Sequence, residues 1–338
     1  MKAWHSVVLL AGFTVGVLGC EDQNSFGVRM NNDSPRPELS DSDDSYDDQD
    51  VEDEEDVEDI QDEGESFNSA DTAQEEMSNG SAMEMDGCDG SFISAEAAQE
   101  MYDLTDVTDY ETIYTTYDRI DGIATLFEQC SDPWGLFPTT YRHITARIIE
   151  AIENGEIDDQ EWGKRIVLDF AARYLANLQE ALVGGTPSYA WEHYYYLADR
   201  SDVSRTRAVV VSMIAHLTLD LPYSLVAVET TEDHKDDYFV LGELMIEITD
   251  DFLADLEYYY DTDATDLING FFFGEWVDGT FGEDTTVTFN YQTIRTKSWN
   301  NRWYLEQWWG VWIAESEIYT AFWTMDGILA SLDAAGTI

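Results

Sequence analysis

An all-α fold, a single multi-helix bundle-like domain behind a disordered acidic tether, is predicted by three features of this 338-residue chain. From Ser91 onward, apolar residues recur at spacings of three and four, the repeat of an amphipathic helix face, and Pro and Gly mark the breaks. Before Ser91 the chain is too acidic and too poor in apolar residues to build a core. No repeat of fixed period divides the remainder, whose length of about 245 residues suits one domain.

Residues 1–20 read as a secretory signal. Lys2 supplies the positive start, and Val7 to Leu18 form an apolar run of about a dozen residues, too short to span a bilayer. The run ends in Val17-Leu18-Gly19-Cys20, which resembles the lipobox of bacterial lipoproteins. That resemblance implies that Cys20 is lipidated and anchors the chain in a membrane of the cell envelope. The other reading is an ordinary cleaved signal that happens to contain a cysteine. Glu21 stands where an inner-membrane retention Asp is common in enteric bacteria, so the outer membrane or cell surface is the expected location.

Residues 21–90 form the acidic linker, with 26 acidic and 2 basic residues. Asp41 to Glu65 is nearly all Asp, Glu, Ser and Gln, and cannot offset the entropy of ordering it. The expectation is an extended, self-repelling tether. No window matches a calcium-binding EF-hand loop. Residues 91–338 carry 45 acidic and 13 basic residues, a net of −32 inside an aromatic-rich region. Such a domain repels itself at low ionic strength, which points to a saline habitat or to a cationic partner. With no Lys or Arg cluster to neutralise phosphates, nucleic acid is an unsuitable partner. Cys88 and Cys130 are the only cysteines after Cys20. In an oxidising compartment they either pair, fastening the linker to the first long helix, or stay free, and their number alone does not decide.

Asp109 to Cys130 reads as one helix, with Ile113, Tyr117, Ile120 and Ala124 along a face and Asp132-Pro133 as its stop. Pro138 to Asn154 is a second, ended by Gly155, and Asp158 opens a third that runs to Gly184-Gly185. Pro187 begins a short helix through Trp191 and Tyr195. Ser204 to Val228, interrupted by Pro222, is apolar nearly all round and should be central. Asp236 to Tyr260 makes another helix, and Trp276 to Phe289 breaks the pattern as a loop or small hairpin. Helices at about Tyr291 to Trp308 and Val311 to Asp333 close the chain.

The central helix carries the candidate chemistry. His216 and Asp220 stand at i and i+4, on one face of an otherwise apolar segment, so both should turn inward and need partners. Either they satisfy each other as a packing pair, or they point jointly at a metal or substrate. The run Ala215-His216 with Asp220-Leu221-Pro222 resembles the A-H-x-x-x-D-L-P signature of a bacterial family known only as domain of unknown function 5995. Asp169 to Leu175, with Arg173-Tyr174, Trp191 and Arg295-x-x-x-Trp299 are similar to other recurring features of that family. The resemblance covers roughly Ile120 to Gln307, implies an all-helical fold and brings no established activity. Ser212-Met213-Ile214 departs from the Gly-Met-Asn run common there.

H-x-x-x-D on a helix also resembles the zinc-binding helix of bacterial phospholipases C, where a metal-activated water attacks a phosphoester. On that reading His216 and Asp220 bind a divalent metal such as zinc, with His143 and Asp169 as further candidate ligands and His193 and Glu192 in reserve. Arg173 and Trp191 are then the candidate substrate-binding residues. Those enzymes use many more histidines. No G-x-S-x-G, H-E-x-x-H or phosphate-cradling glycine loop occurs. Trp299, Trp303, Trp308, Trp309, Trp312 and Trp323 form a last constellation, read as core from the near-helical spacing of Trp299 and Trp303, with a sugar- or lipid-binding surface as the rival. The sequence therefore predicts a membrane-anchored lipoprotein with an uncharacterised helical domain; a phosphoesterase-like metal hydrolase is the alternative, and a binding module the rival to any enzyme.

Overall fold

The computed structural model describes residues 88–90, 92–108, 111–272 and 291–338. Among these, the architecture is all-α, with eleven α-helices and one two-stranded hairpin. The Trp276 to Phe289 segment, the signal with Cys20 and the tether up to residue 87 lie outside the described residues.

The described residues open on a two-stranded hairpin. Strand β1 (Cys88–Asp89) pairs antiparallel with β2 (Phe92–Ile93), and a disulfide joins Cys88 to Cys130 with 5.5 Å between Cα atoms. Helix α1 (Ala95–Thr105), which the periodicity did not single out, starts on Ser94, whose side chain accepts the Ala97 N–H. Helix α2 (Ile113–Cys130) opens on a Thr112/Thr115 capping box and ends on Ser131 in the left-handed region. Helix α3 (Leu136–Asn154) stops at Gly155, where φ of +73° suits glycine.

Helix α4 (Gln160–Leu182) is capped twice. Asp159 accepts the Trp162 N–H at 2.9 Å, and buried Asp237 accepts the N–H groups of Asp158 and Asp159 at 2.8 Å each. Helix α5 (Tyr189–Ala198) leads to the central segment, α6 (Arg205–Ala215), a π-helical turn over His216–Asp220, and α7 (Leu221–Ala227). This continuous helix is long and apolar enough to cross a membrane, yet 83% of its apolar window is buried within the protein. It is packed by α3, α4, α5 and the two last helices, α10 (Tyr291–Leu305) and α11 (Val311–Ala334).

The single helix expected over Asp236 to Tyr260 is two, α8 (Lys235–Glu247) and α9 (Thr249–Tyr260), broken at Ile248. Ile246, Ile248 and Thr249 crowd β-branched side chains there, which weakens a helix. The tryptophans also divide. Trp299 is buried in the core, whereas Trp308 is 90% exposed and Trp303, Trp309 and Trp312 are exposed around the α10–α11 turn. The near-helical spacing of Trp299 and Trp303 did not place both inside.

Candidate functional site: a buried histidine beside an apolar cavity

The π-helical turn falls on His216–Asp220, where the local sequence asks for it. Pro222 has no N–H, so the Leu217 carbonyl five residues earlier has no backbone donor at that position. Buried Ser298 of α10 supplies one, its hydroxyl donating to the Leu217 carbonyl at 2.6 Å. The Thr218 hydroxyl donates to the Ile214 carbonyl at 2.7 Å. The widened turn is thus held by hydroxyls from inside and outside the helix.

Asp220 accepts two hydrogen bonds on Oδ2, from Trp191 Nε1 at 2.8 Å and from His216 Nδ1 at 2.9 Å. A carboxylate only accepts, so Nδ1 carries the imidazole proton and Nε2 presents a lone pair. That Nε2 is buried and has no hydrogen-bond partner. Burial pushes the His216 pKa below the ordinary value and outweighs the opposing hydrogen bond to Asp220, so the ring is neutral. Phe170 stacks on it at 3.5 Å between centroids, and Phe137, Tyr141 and Trp191 stand edge-on at 5.1, 4.8 and 5.8 Å. Aromatic rings thus fix the imidazole in place.

His216 lines a cavity of about 60 Å³, walled mostly by aliphatic and aromatic side chains. Partly exposed Ile144, Ile148 and Phe170 are among its walls, together with buried Met213, Leu217 and Leu241. Arg295 of α10 reaches the same cavity. Its guanidinium lies over the Tyr238 ring at 4.2 Å, donates to the Tyr238 carbonyl and to the Tyr291 hydroxyl, and leaves Nε without a partner.

Of the other residues singled out in the sequence, Trp191 joins this site and the rest make their contacts elsewhere. His143 Nε2 meets Asp255 at 2.7 Å, inside a network with Arg142 and Glu128. Asp169 accepts from Arg173 Nε at 2.7 Å, and Arg173 Nε also reaches the Ser224 hydroxyl at 2.8 Å. His193 binds Asp326, and Glu192 is exposed. Trp191 is fully buried and donates to Asp220. Among the described residues no three His, Cys, Asp or Glu side chains converge to hold a metal ion, and His216 with Asp220 supplies two. A catalytic zinc centre takes three protein ligands.

Arg295 is the participant that sequence reasoning passed over. It appeared only within a recurring motif, because the rings that flank it, Tyr238 and Tyr291, come from separate helices. Compared with known proteins, residues 113–311 match a family described as "Family of unknown function (DUF5995)". No curated protein and no solved structure matches.

Proposed function

The chain belongs to the DUF5995 family, and from that premise, with no activity attached to the family, we propose that it is an envelope-anchored binding protein whose central cavity takes a small, largely apolar ligand. One observation carries the reading: the Nε2 of a neutral, buried histidine stands unpaired on an apolar cavity. A buried acceptor without a donor is costly, and a ligand O–H or N–H removes that cost. Asp220 and Trp191 hold the tautomer, and the aromatic rings hold the orientation. The site is therefore arranged before the ligand arrives, which lowers the entropy lost on binding.

Anchoring is the second half of the proposal. The Val17-to-Cys20 run supports lipidation at Cys20, and the Cys88–Cys130 disulfide suits an oxidising compartment outside the cytoplasm. On this reading the protein sits at the outer membrane or cell surface, with the acidic linker as spacer.

The test of the cavity uses the full chain and two isomeric probes, 1-butanol, which carries an O–H, and methyl propyl ether, which does not. Titration followed on the tryptophan indole N–H resonances should show saturable binding of 1-butanol, several-fold tighter than the ether, with the Trp191 signal among those that move. Absence of saturable binding by either, or equal affinity for both, overturns the reading. Cys20→Ser tests the anchor. The variant should leave the membrane fraction, and its persistence there would end the lipoprotein half of the proposal.

A further inference from the structure

Among the described residues two arginines are almost fully buried, and they are treated differently. Arg302 meets Glu232 at 2.9 Å. Arg295 has no carboxylate partner among the described residues; its only polar contacts are a backbone carbonyl and a phenol hydroxyl. The Tyr238 and Tyr291 rings, at 4.2 and 5.6 Å, favour a cation but do not neutralise it. The fold also makes room for the group. A Cβ on Gly242 would lie 2.5 Å from Arg295 Nε, so glycine at that point of α8 is what lets the guanidinium lie against the helix. A permanent positive charge in a dry site is expensive unless an anion meets it.

Resting on the cavity reading above, we infer that the ligand carries a single anionic head, a carboxylate or its equivalent, that Arg295 neutralises, on a compact apolar body. The walls set the body: the Thr145 hydroxyl is spent on the Tyr141 carbonyl and the Tyr238 hydroxyl on the Arg295 carbonyl, and most of the remaining lining is hydrocarbon and aromatic surface. The volume sets the scale, as about 60 Å³ encloses a head and a few carbons rather than a long chain. His216 sets the direction. Its Nε2 lone pair repels a carboxylate oxygen, so the head goes to Arg295 and any hydroxyl on the ligand goes to His216. The acidic surface of the domain opposes entry of an anion at low salt, and screening removes that opposition.

The experiment compares butyrate with butyramide, which share size and shape and differ in charge, on the full chain at about 1 M salt, where the Debye length is near 3 Å. Butyrate should bind about tenfold tighter, equivalent to about 1.4 kcal/mol. In Arg295→Met, which keeps an unbranched chain and drops the charge, the preference for butyrate over butyramide should vanish. Butyrate and butyramide compared on the unaltered chain carry the test if the variant fails to fold. Equal affinity for butyrate and butyramide, with 1-butanol binding intact, overturns the anionic head and leaves the cavity reading standing. No binding by any of the three overturns both. Retention of the butyrate preference in Arg295→Met also overturns the assignment.

Discussion

Of the four histidine–aspartate pairs among the described residues, His193–Asp326 and His216–Asp220 differ most usefully in the third partner. His193 of α5 meets Asp326 of α11 at 2.9 Å, and Arg207 of α6 closes on the other carboxylate oxygen at 2.7 Å, with Asp333 3.7 Å from the same guanidinium. His216 meets Asp220 at the same 2.9 Å, but the third group is the neutral indole of Trp191. In the first pair a cation saturates the carboxylate and ties three helices together. In the second, no charge is neutralised and an acceptor is left facing a cavity. An identical pair of residue types is a brace in one place and a prepared site in the other, and the partner behind the aspartate decides which.

The largest effect expected from this contrast comes from removing the carboxylate charge in each pair. Asp326→Asn leaves the mostly buried Arg207 guanidinium with only the longer contact to Asp333, and should lower unfolding free energy by about 3 kcal/mol. Asp220→Asn strands no guanidinium and should cost about 1 kcal/mol. The amide oxygen takes the place of Oδ2, where Trp191 Nε1 and His216 Nδ1 both donate, so the imidazole tautomer and 1-butanol binding should be kept in a folded protein. Denaturant titration of both variants decides the matter, and equal destabilisation would dissolve the distinction between brace and site.

Much of this contrast was visible before any coordinates, and the invisible part has a common cause. The three-and-four spacing placed the helices, and i,i+4 spacing brought His216 and Asp220 together, because those signals are local. The central position of the Ser204 to Val228 helix followed from its apolar circumference for the same reason. Arg295 was obscure because its environment is assembled from Tyr238, Tyr291 and Gly242, on two helices far apart in the chain. The placing of His143 on Asp255 and of His193 on Asp326 depends on pairings across more than a hundred residues. The exposure of Trp308 and Trp312 depends on where α10 turns into α11, which a residue spacing does not encode.

Acid separates the two pairs a second time. Because burial holds the His216 pKa below its ordinary value near 6.5, the unfolded chain binds a proton that the folded chain refuses as pH falls through that value. Stability should therefore fall from pH 7 toward pH 5, by up to about 1.4 kcal/mol per unit, until the folded-state pKa is reached. Asp326 acts lower on the scale. Burial alone would raise its pKa, but hydrogen bonds from His193 and Arg207 and their charges hold it below the ordinary carboxylate value. Its stabilisation is present above about pH 4 and is lost as pH drops further. His216→Phe should flatten the upper window and leave the lower one. Stability curves of parent and variant that run parallel between pH 5 and pH 7 would show that His216 is not the group held neutral.

The smallest effect tests what holds the site in shape rather than what the site contains. Ser298→Ala removes the hydroxyl that serves the Leu217 carbonyl, leaving a buried acceptor beside the π-helical turn, at a cost of about 1 kcal/mol. Ser331→Ala offers the control, since that hydroxyl also bonds a helix carbonyl, at Gly327, but from an exposed position on α11. There water replaces the lost donor, and the change should stay within about 0.5 kcal/mol. The Ser298 loss should also weaken 1-butanol binding, because a turn that closes toward α-helical spacing swings His216 relative to Asp220 and away from the rings that fix it. Destabilisation without any change in binding would mean that the π-helical turn serves Pro222 alone, and that the imidazole is positioned by its aromatic neighbours without help from the backbone.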